Sequence, residues 1–510
     1  MTAAPLLERW RQEDARRHLE AFLRRQRWFG GRGRDVTGVA VVDAIPLREG
    51  DLGLCILLVA VRYFVGDDEL YHLPLVSRRL TDAAVTGADD PRLVLLDGED
   101  SDTVAVYDAL ADPGALEEVW RAIAAGEVHH GKAGDVRMRR LRPPTAGAQP
   151  DGGTAIRPLA REQSNSAAVR GDTEMLKCLR HVVRGVSPEV EMTTALLSAG
   201  FERVAAPLGT VEYLGHDGTP ILLALIQSYL GGGTEGWALA LTSLRVHYAD
   251  AEEAQDEHAG REEAAIKGAT FTPEAIRIGA LTAALHLAML DHNLPAALRA
   301  FPAGRDLLER WAAEMTVDLD RLLGRPEPQL DGLRARRDAI AATFAALRDL
   351  PDGGMAIRVH GDYHLSQLLR TDEGWTVLDF EGEPRRPLVE RRAHSSPLSD
   401  VAGMLRSFHY AAAVELRERT PPDEQVSEVL QEQGDAWVAA NRDAFWAAYT
   451  AAVAGSGLLP SGDGVRVMIR AFELRKGIYE VGYELGHRPD WLSIPLRSLL
   501  AAGPAAVAAR

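Results

Sequence analysis

Val359 to Leu369 reads VHGDYHLSQLL, and a few residues on Val377 to Pro384 reads VLDFEGEP. An acid, Asp362, stands five residues ahead of a side-chain amide, Gln367, and an apolar run then ends in a second acid, Asp379. This is the layout of a phosphoryl-transfer site. Asp362 must reach an acceptor hydroxyl, while the amide oxygen of Gln367 and the carboxylate of Asp379 must meet on magnesium between the phosphates. Thr371 to Gly374 forms a turn between Leu368-Leu369 and Trp375 to Leu378. The pattern predicts a tight hairpin that brings Gln367 and Asp379 together. One Asp in a turn is ordinarily a turn residue; two ordered acids and an amide around a hairpin point to catalysis.

The same spacing occurs in protein kinases, whose catalytic loop reads H-R-D-x-x-x-x-N and whose metal turn reads D-F-G. Here His360-Gly361-Asp362, Gln367 and Asp379-Phe380-Glu381-Gly382 take those places. HGDYHLSQLL and DFEGEP resemble the actinobacterial maltokinases and their relatives, the maltokinase-like glucosamine kinases, which share a kinase-like fold with aminoglycoside phosphotransferases. Arg391 to Ala411, RRAHSSPLSDVAGMLRSFHYA, and Tyr479 to Pro495, YEVGYELGHRPDWLSIP, also look like family signatures, with weaker likeness at Arg27-Trp28-Phe29 and across Gln163 to Glu191. The resemblance implies an α+β, bilobal protein-kinase-like fold with an N-terminal cap over 1–90, a mainly β N-lobe over 91–226 and a mainly helical C-lobe over 227–510. It implies ATP and Mg2+ as cofactors and a sugar hydroxyl as acceptor.

The 510 residues are 46% hydrophobic and 26% charged, an ordinary globular composition able to bury two or three cores. Fifty-seven basic against 74 acidic residues leave a net charge of -17, which opposes binding to nucleic acid or to anionic membrane. A small-molecule partner is expected. Cys55 and Cys178 are the only cysteines, so a reducing compartment fits. Met1 to Trp28 is a charged amphipathic helix rather than an apolar signal segment. Leu52 to Val61, the longest apolar run, is too short to span a bilayer and reads as a buried strand. The expected location is cytoplasmic.

Along the chain, one helix and a turn at Gly30 to Gly33 precede strand-like runs that end at Tyr71 to Leu75. Thr103 to Leu141 turns helical and returns to a strand, and Pro143 to Gly153 has a linker's composition. Ile156 to Val169, Glu174 to Leu179 and Val211 to Tyr229 read as strands, with a helix over Pro188 to Ala199. From Trp237 onward the pattern is mostly helical, with an acidic run at Asp250 to Glu263 read as a solvated face or insertion.

Lys177 lies in an apolar strand, where a charge is costly to bury unless it meets an anion. Kinases place such a lysine on the phosphates and orient it with a glutamate on the next helix. Ser187 to Glu191 offers Glu189 and Glu191, and the resemblance favours Glu191. Gln163, Ser164 and Ser166, in a Gln-Ser-Asn-Ser turn, are candidates to cover the phosphates through backbone N–H groups and hydroxyls. Ile226 to Leu230, with Gln227 and Tyr229, is read as the hinge whose backbone pairs with adenine.

Two literal motifs point elsewhere. Gly231 to Gly236 satisfies G-x-G-x-x-G, but no second strand bearing a ribose-binding acid follows; the glycines are read as slack behind the hinge. Gly126 to Ala133 misses a P-loop by ending in Ala and by following a helix. His129-His130 reads as a loop pair rather than a metal site.

On the last long helix, Tyr479 and Tyr483 recur at i, i+4, as do Glu480 and Glu484, offering rings and carboxylates such as sugars need. Trp491, past the helix end, is placed to close a pocket. Glu381 is a candidate to assist a second metal. The resemblance splits between maltose, phosphorylated at its anomeric hydroxyl, and glucosamine, phosphorylated at its 6-hydroxyl. Leu474-Arg475-Lys476-Gly477 departs from the acidic-Lys-Ala pattern expected of maltokinases. A protonated amine also needs a carboxylate, which Glu480, Glu484, Glu381 or Glu383 would supply. Glucosamine kinase is therefore the expected activity and maltokinase the alternative, with a dinucleotide-binding oxidoreductase and a silent kinase-like regulator as distant rivals.

Overall fold

The computed structural model describes residues 10, 12–50, 52–83, 90–97, 103–142, 155–159, 165–256, 271–420 and 427–501. Gln163 and Ser164, the linker Pro143 to Gly153 and the second half of the acidic run lie outside these residues. The chain divides into two compact units, Met1–Thr194 with Ala205–Gly231, and Ala195–Val204 with Gly232–Arg510.

The first unit is built on two antiparallel sheets. α1 (Glu13–Arg25) precedes β1 (Val36–Arg48), β2 (Gly53–Tyr63), β3 (Glu69–Arg79), β4 (Leu93–Asp97) and β5 (Val104–Asp108). These strands run in the order β1-β2-β3-β5-β4, and β11 (His181–Val182) pairs with β3. The apolar run in β2 is buried on both faces, as its composition requires. Leu57, Val59 and Val61 pack with Leu19, Phe22 and Leu23 of α1, whereas Ile56 and Leu58 face α2 (Pro113–Ala125) and the second sheet. α2 begins where Asp112 accepts from Ala115 N at 3.0 Å with Pro113 in the first turn, and ends at Gly126 with φ 68°.

The second sheet runs β6 (Val128–His130), β7 (Gly134–Arg140), β12 (Pro207–Gly215), β13 (Pro220–Ser228), β10 (Glu174–Cys178), β9 (Ser166–Arg170) and β8 (Ile156–Leu159). Val211 to Tyr229, expected as one strand, is two. Asp217-Gly218 turns the chain, with Gly218 at φ 76° and Asp217 accepting from Thr219 N at 3.0 Å. Ile156 to Val169 likewise divides between β8 and β9. His129-His130 sits on β6 rather than in a loop, each ring near a carboxylate, Glu127 at 3.1 Å and Asp135 at 2.8 Å.

The P-loop look-alike binds an anion after all, but an internal one. The N–H groups of Lys132 and Ala133 donate to the fully buried Asp43 carboxylate at 3.0 and 2.9 Å, and Tyr213 OH donates to it at 3.0 Å. A Cβ on Gly131 would collide with that carboxylate. Ala44 N also donates to this carboxylate at 2.9 Å, so Asp43→Ala strands four donors, and we expect a loss on the order of 3 kcal/mol in urea unfolding. An unchanged midpoint would mean that water replaces the carboxylate without cost.

The second unit is mostly helical. α4 (Gly236–Asp256), α5 (Thr272–Ala288), α6 (Arg305–Leu323), α7 (Arg337–Ala345), α8 (Leu398–Arg419), α9 (Glu428–Val453), α10 (Gly464–His487) and α11 (Ser493–Ala501) surround short strands, β15 (Phe301–Pro302) and β19 (His394–Ser395) among them. β17 (Leu368–Thr371) and β18 (Gly374–Val377) form the expected hairpin about Asp372-Glu373, and β14 (Thr234–Glu235) pairs with β17. The glycines before α4 are therefore not slack. A Cβ on Gly233 would meet Leu369 at 2.5 Å, and one on Gly236 would meet the Leu365 carbonyl at 2.6 Å. Every pairing of named strands is antiparallel among the described residues. The dinucleotide reading thus lacks the parallel βαβ unit it needs.

Candidate active site

β16 (Met355–Arg358) is a short, largely buried strand that delivers Val359-His360-Gly361 to the first turn of α8. There the buried Asp400 accepts from His360 N at 2.8 Å and Gly361 N at 2.9 Å. Two backbone donors on one carboxylate fix the turn at Gly361, whose φ of 85° suits glycine. Burial alone would raise the Asp400 carboxyl, but the His286 ring at 3.3 Å and these N–H groups hold it below its ordinary range. Gly403, one helical turn after Asp400, lets α8 approach this loop, since a Cβ there would meet the Tyr363 carbonyl at 2.5 Å.

His360 joins the loop to the metal turn. Asp362 N donates to its Nδ1 at 3.3 Å, so its Nε2 carries the proton and donates to the Leu378 carbonyl at 2.8 Å. Burial pushes its pKa down, consistent with a neutral ring. Phe380 packs on it with ring centroids 4.7 Å apart. Across the hairpin, Leu378 N donates to the Gln367 carbonyl at 2.9 Å, which sets Gln367 beside the residue preceding Asp379. Asp379 has φ 63°, the only described non-glycine residue at positive φ. That conformation costs about 1–3 kcal/mol and persists where the surroundings impose it, as active sites do. Carboxylate oxygens of Asp379 and Glu381 lie within 4.8 Å of each other, a donor set of hard oxygens that fits a divalent cation.

Asp362 meets a partner that sequence reasoning did not assign. Lys476 of α10 places Nζ 2.9 Å from Asp362 Oδ1 and 2.7 Å from Glu383 Oε1, and Arg386 Nε lies 2.5 Å from Glu383 Oε2. Burial would raise the Asp362 carboxyl, yet the Lys476 ammonium holds it far below the usual carboxylate range. Burial opposes the Lys476 charge too, and the two carboxylates hold its pKa above the ordinary lysine value.

A cleft of about 410 Å3 opens at Asp362 and His364, and Tyr479, Glu480, Tyr483, Glu484 and Trp491 all line it. The Tyr479 and Tyr483 rings stack at 6.5 Å, and Tyr410 faces Trp491 at 6.2 Å. The two glutamates are already engaged. Glu480 accepts from Arg406 Nε at 3.0 Å, and the nearly buried Glu484 accepts from Tyr410 OH and from Arg488 at 2.8 and 3.0 Å. Arg475 and Gly477, from the stretch that departs from the maltokinase pattern, do not line this cleft. Arg475 lies 3.5 Å from both Glu314 and Asp318, and a Cβ on Gly477 would meet Leu499 at 2.7 Å and Arg406 at 3.1 Å.

In the first unit, Lys177 pairs with Leu225 and Met175 with Gln227, so Lys177 and Gln227 share a sheet face opposite buried Leu176, Cys178 and Ile226. Glu191 lies in the first turn of α3 (Pro188–Ser198). Ser166 Oγ accepts from the buried Arg180 at 2.9 Å, an engagement within the unit. In the expected hinge, Ser228 N donates to Ala206 O at 2.9 Å and Tyr229 N to Thr173 O at 2.8 Å. Those two donors are committed to neighbouring chain.

Residues 22–112 match the maltokinase N-terminal cap domain family. Over its length the chain is similar to a solved glucosamine kinase in complex with glucosamine, ADP and inorganic phosphate, with TM-score 0.60, 22% identity, and 94% of this chain and 98% of that one covered. The chain carries a maltokinase N-terminal cap on a kinase fold. A glucosamine kinase of Streptacidiphilus jiangxiensis is 29% identical over 81% of this kinase and 96% of the relative. One of Mycolicibacterium smegmatis is 28% identical over 66% of this kinase and 77% of the relative. The α+β, capped kinase architecture expected from the catalytic stretch is thereby borne out. Missing from the sequence reading were Lys476, Asp400, Arg406 and Tyr410. Asp400, Arg406 and Tyr410 lay within a quoted signature and Lys476 within the stretch singled out before Tyr479, but no local pattern tells which residue an ion pair will choose.

Proposed function

We propose that this kinase phosphorylates glucosamine to glucosamine 6-phosphate with ATP. The observation that carries the reading is the cleft, which opens at Asp362 and ends in stacked tyrosines and carboxylates. The chain is an ATP-dependent sugar kinase, and the cytoplasm supplies its nucleotide.

The sugar ring stacks on the tyrosines, and its 6-hydroxyl meets Asp362. As the O6–P bond forms and the bond from the γ-phosphorus to the bridging oxygen breaks, the hydroxyl proton passes to Asp362. A carboxyl held so low by Lys476 is a weak base, so it orients the hydroxyl and accepts the proton late, as suits a loose transition state. Gln367, Asp379 and Glu381 are the residues that would hold magnesium, which neutralises charge on the phosphates. Lys177, oriented by Glu191, would meet the phosphates, with Gln227 and Tyr229 near the adenine.

Arg488 makes room for the amine. Its side chain is 45% exposed and rests 4.5 Å from the Trp491 ring while pairing with Glu484. We infer that it acts as a stand-in cation: the acceptor ammonium takes its place at Glu484, through a bond worth about 1.5–3 kcal/mol. Two measurements test this. kcat/KM for glucosamine should exceed those for maltose and N-acetylglucosamine, and Glu484→Gln should lower it by about one to two decades. A higher kcat/KM for maltose would replace this reading by maltokinase.

A further inference from the structure

The metal turn, Asp379-Phe380-Glu381-Gly382, is held at its start by His360, which donates to the Leu378 carbonyl and packs on Phe380. Its other end has little beneath it. Gly361, Gly382 and Arg391 all line a cavity of about 150 Å3 behind the catalytic loop and the metal turn, room for several waters. A Cβ on Gly361 would meet Gly382 Cα at 3.4 Å, so the two glycine turns meet through backbone alone. Gly382 stands at φ 73°. With glycine on its far side, the peptide between Glu381 and Gly382 is the one in this turn that sterics restrain least.

Arg391 meets that peptide. From the helical turn Leu388–Arg391 its guanidinium donates to the Glu381 carbonyl at 3.1 Å. Its stem runs along Gly382, where a Cβ would lie 3.4 Å from both Arg391 Cβ and Cγ. Arg391 Nε is shielded from solvent and has no hydrogen-bond partner. Arg386 pairs with Glu383, Glu390 and Asp318, whereas Arg391 enters no ion pair among the described residues. Burial pushes its pKa below the ordinary arginine value, and the Glu381 charge offsets this only in part. Keeping a half-buried cation without a paired carboxylate costs stability, and the packing of its stem alone would be met by an uncharged side chain.

We propose that Arg391 is a positioning residue of the metal site, which holds the Glu381 carbonyl and so fixes the peptide that aims the Glu381 side chain. This role rests on the reading of Asp379 and Glu381 as metal ligands and is independent of which sugar is the acceptor. Without the donor, the peptide between Glu381 and Gly382 is free to rotate toward the cavity. The carboxylates of Asp379 and Glu381, now within 4.8 Å of each other, then no longer converge on one cation.

Binding of Mn2+ to the full chain, followed by electron paramagnetic resonance with a saturating non-hydrolysable ATP analogue, tests this without turnover. Arg391→Met keeps the stem and removes the donor. It should bind Mn2+ at least about tenfold more weakly than the unmodified chain, and need correspondingly more Mg2+ for half-maximal turnover, while KM for the acceptor sugar stays within about twofold. Unchanged Mn2+ affinity with a lowered melting temperature would make Arg391 a packing residue and overturn the proposal, as would an equal loss in acceptor KM. Should Arg391→Met not fold, Arg391→Lys, which keeps the charge without the planar fork, carries the same test with an expected weakening of at least about threefold. Asp379→Ala is the control: Mn2+ binding lost there but unchanged in Arg391→Met removes Arg391 alone, whereas binding unchanged in both removes the metal site and this role with it.

Discussion

Asp362→Asn and Asp379→Ala each lower kcat at least about a hundredfold while the fold survives, because positioning and charge neutralisation carry phosphoryl transfer. The two losses differ in kind. Asn at 362 keeps the shape and gives up the proton acceptor, so acceptor binding persists and turnover stops. Ala at 379 removes a carboxylate held at φ 63° at the end of the hairpin, so metal dependence weakens along with turnover, and because Ala tolerates the left-handed region less well than Asp, stability is equal or slightly lower. Steady-state kinetics with a magnesium titration, beside a thermal melt, separates these cases. Near-normal turnover by either purified variant would remove the residue from the site.

Lys476→Met should be the most disruptive single change on α10. It leaves Asp362 and Glu383 in place without the ammonium they share, and breaking a buried pair in this way costs about 3–5 kcal/mol. The sign of the pH effect follows from the two shifts. Asp362 is depressed, so its contribution to stability is present above the ordinary aspartate value of about 3.9 and lost as pH falls through its folded value. Lys476 is raised, so its contribution is full below the ordinary lysine value of about 10.4 and lost as pH rises through its folded value. Without the ammonium, burial lifts the Asp362 carboxyl, and the acidic limb of kcat moves to higher pH. A pH–rate profile shows that movement, which a purely structural lysine would not produce. An unmoved limb with reduced stability would leave Lys476 a packing residue only.

The hairpin was legible because its causes are local: two apolar runs, a turn rich in acid and glycine, and the five-residue interval from Asp362 to Gln367. So was the buried strand over Leu52 to Val61, set by neighbours a few residues away. The divided strand at Asp217-Gly218 carried its own turn signal and was nonetheless read through, since its apolar flanks look continuous in a window.

Charge pairing was another matter. The i, i+4 spacing of the tyrosines and glutamates of α10 sets them on adjacent sides of one helix, and they line one cleft, but that spacing says nothing of Arg406, 74 residues away, which neutralises Glu480. Lys476 stands 114 residues from Asp362, and Asp400 lies 40 from the backbone it fixes. The look-alike P-loop offered the same lesson, since its amides answer Asp43 some 89 residues earlier. By itself the sequence determined the hairpin, most of the helices and strands and the order of the candidate groups along the chain, because backbone preference and hydrophobic period act over a few residues. Only the tertiary structure decided which charges are free and which are spent, because a carboxylate in a low-dielectric interior pairs with whatever cation the fold brings within about 3 Å, and sequence distance does not enter that energy.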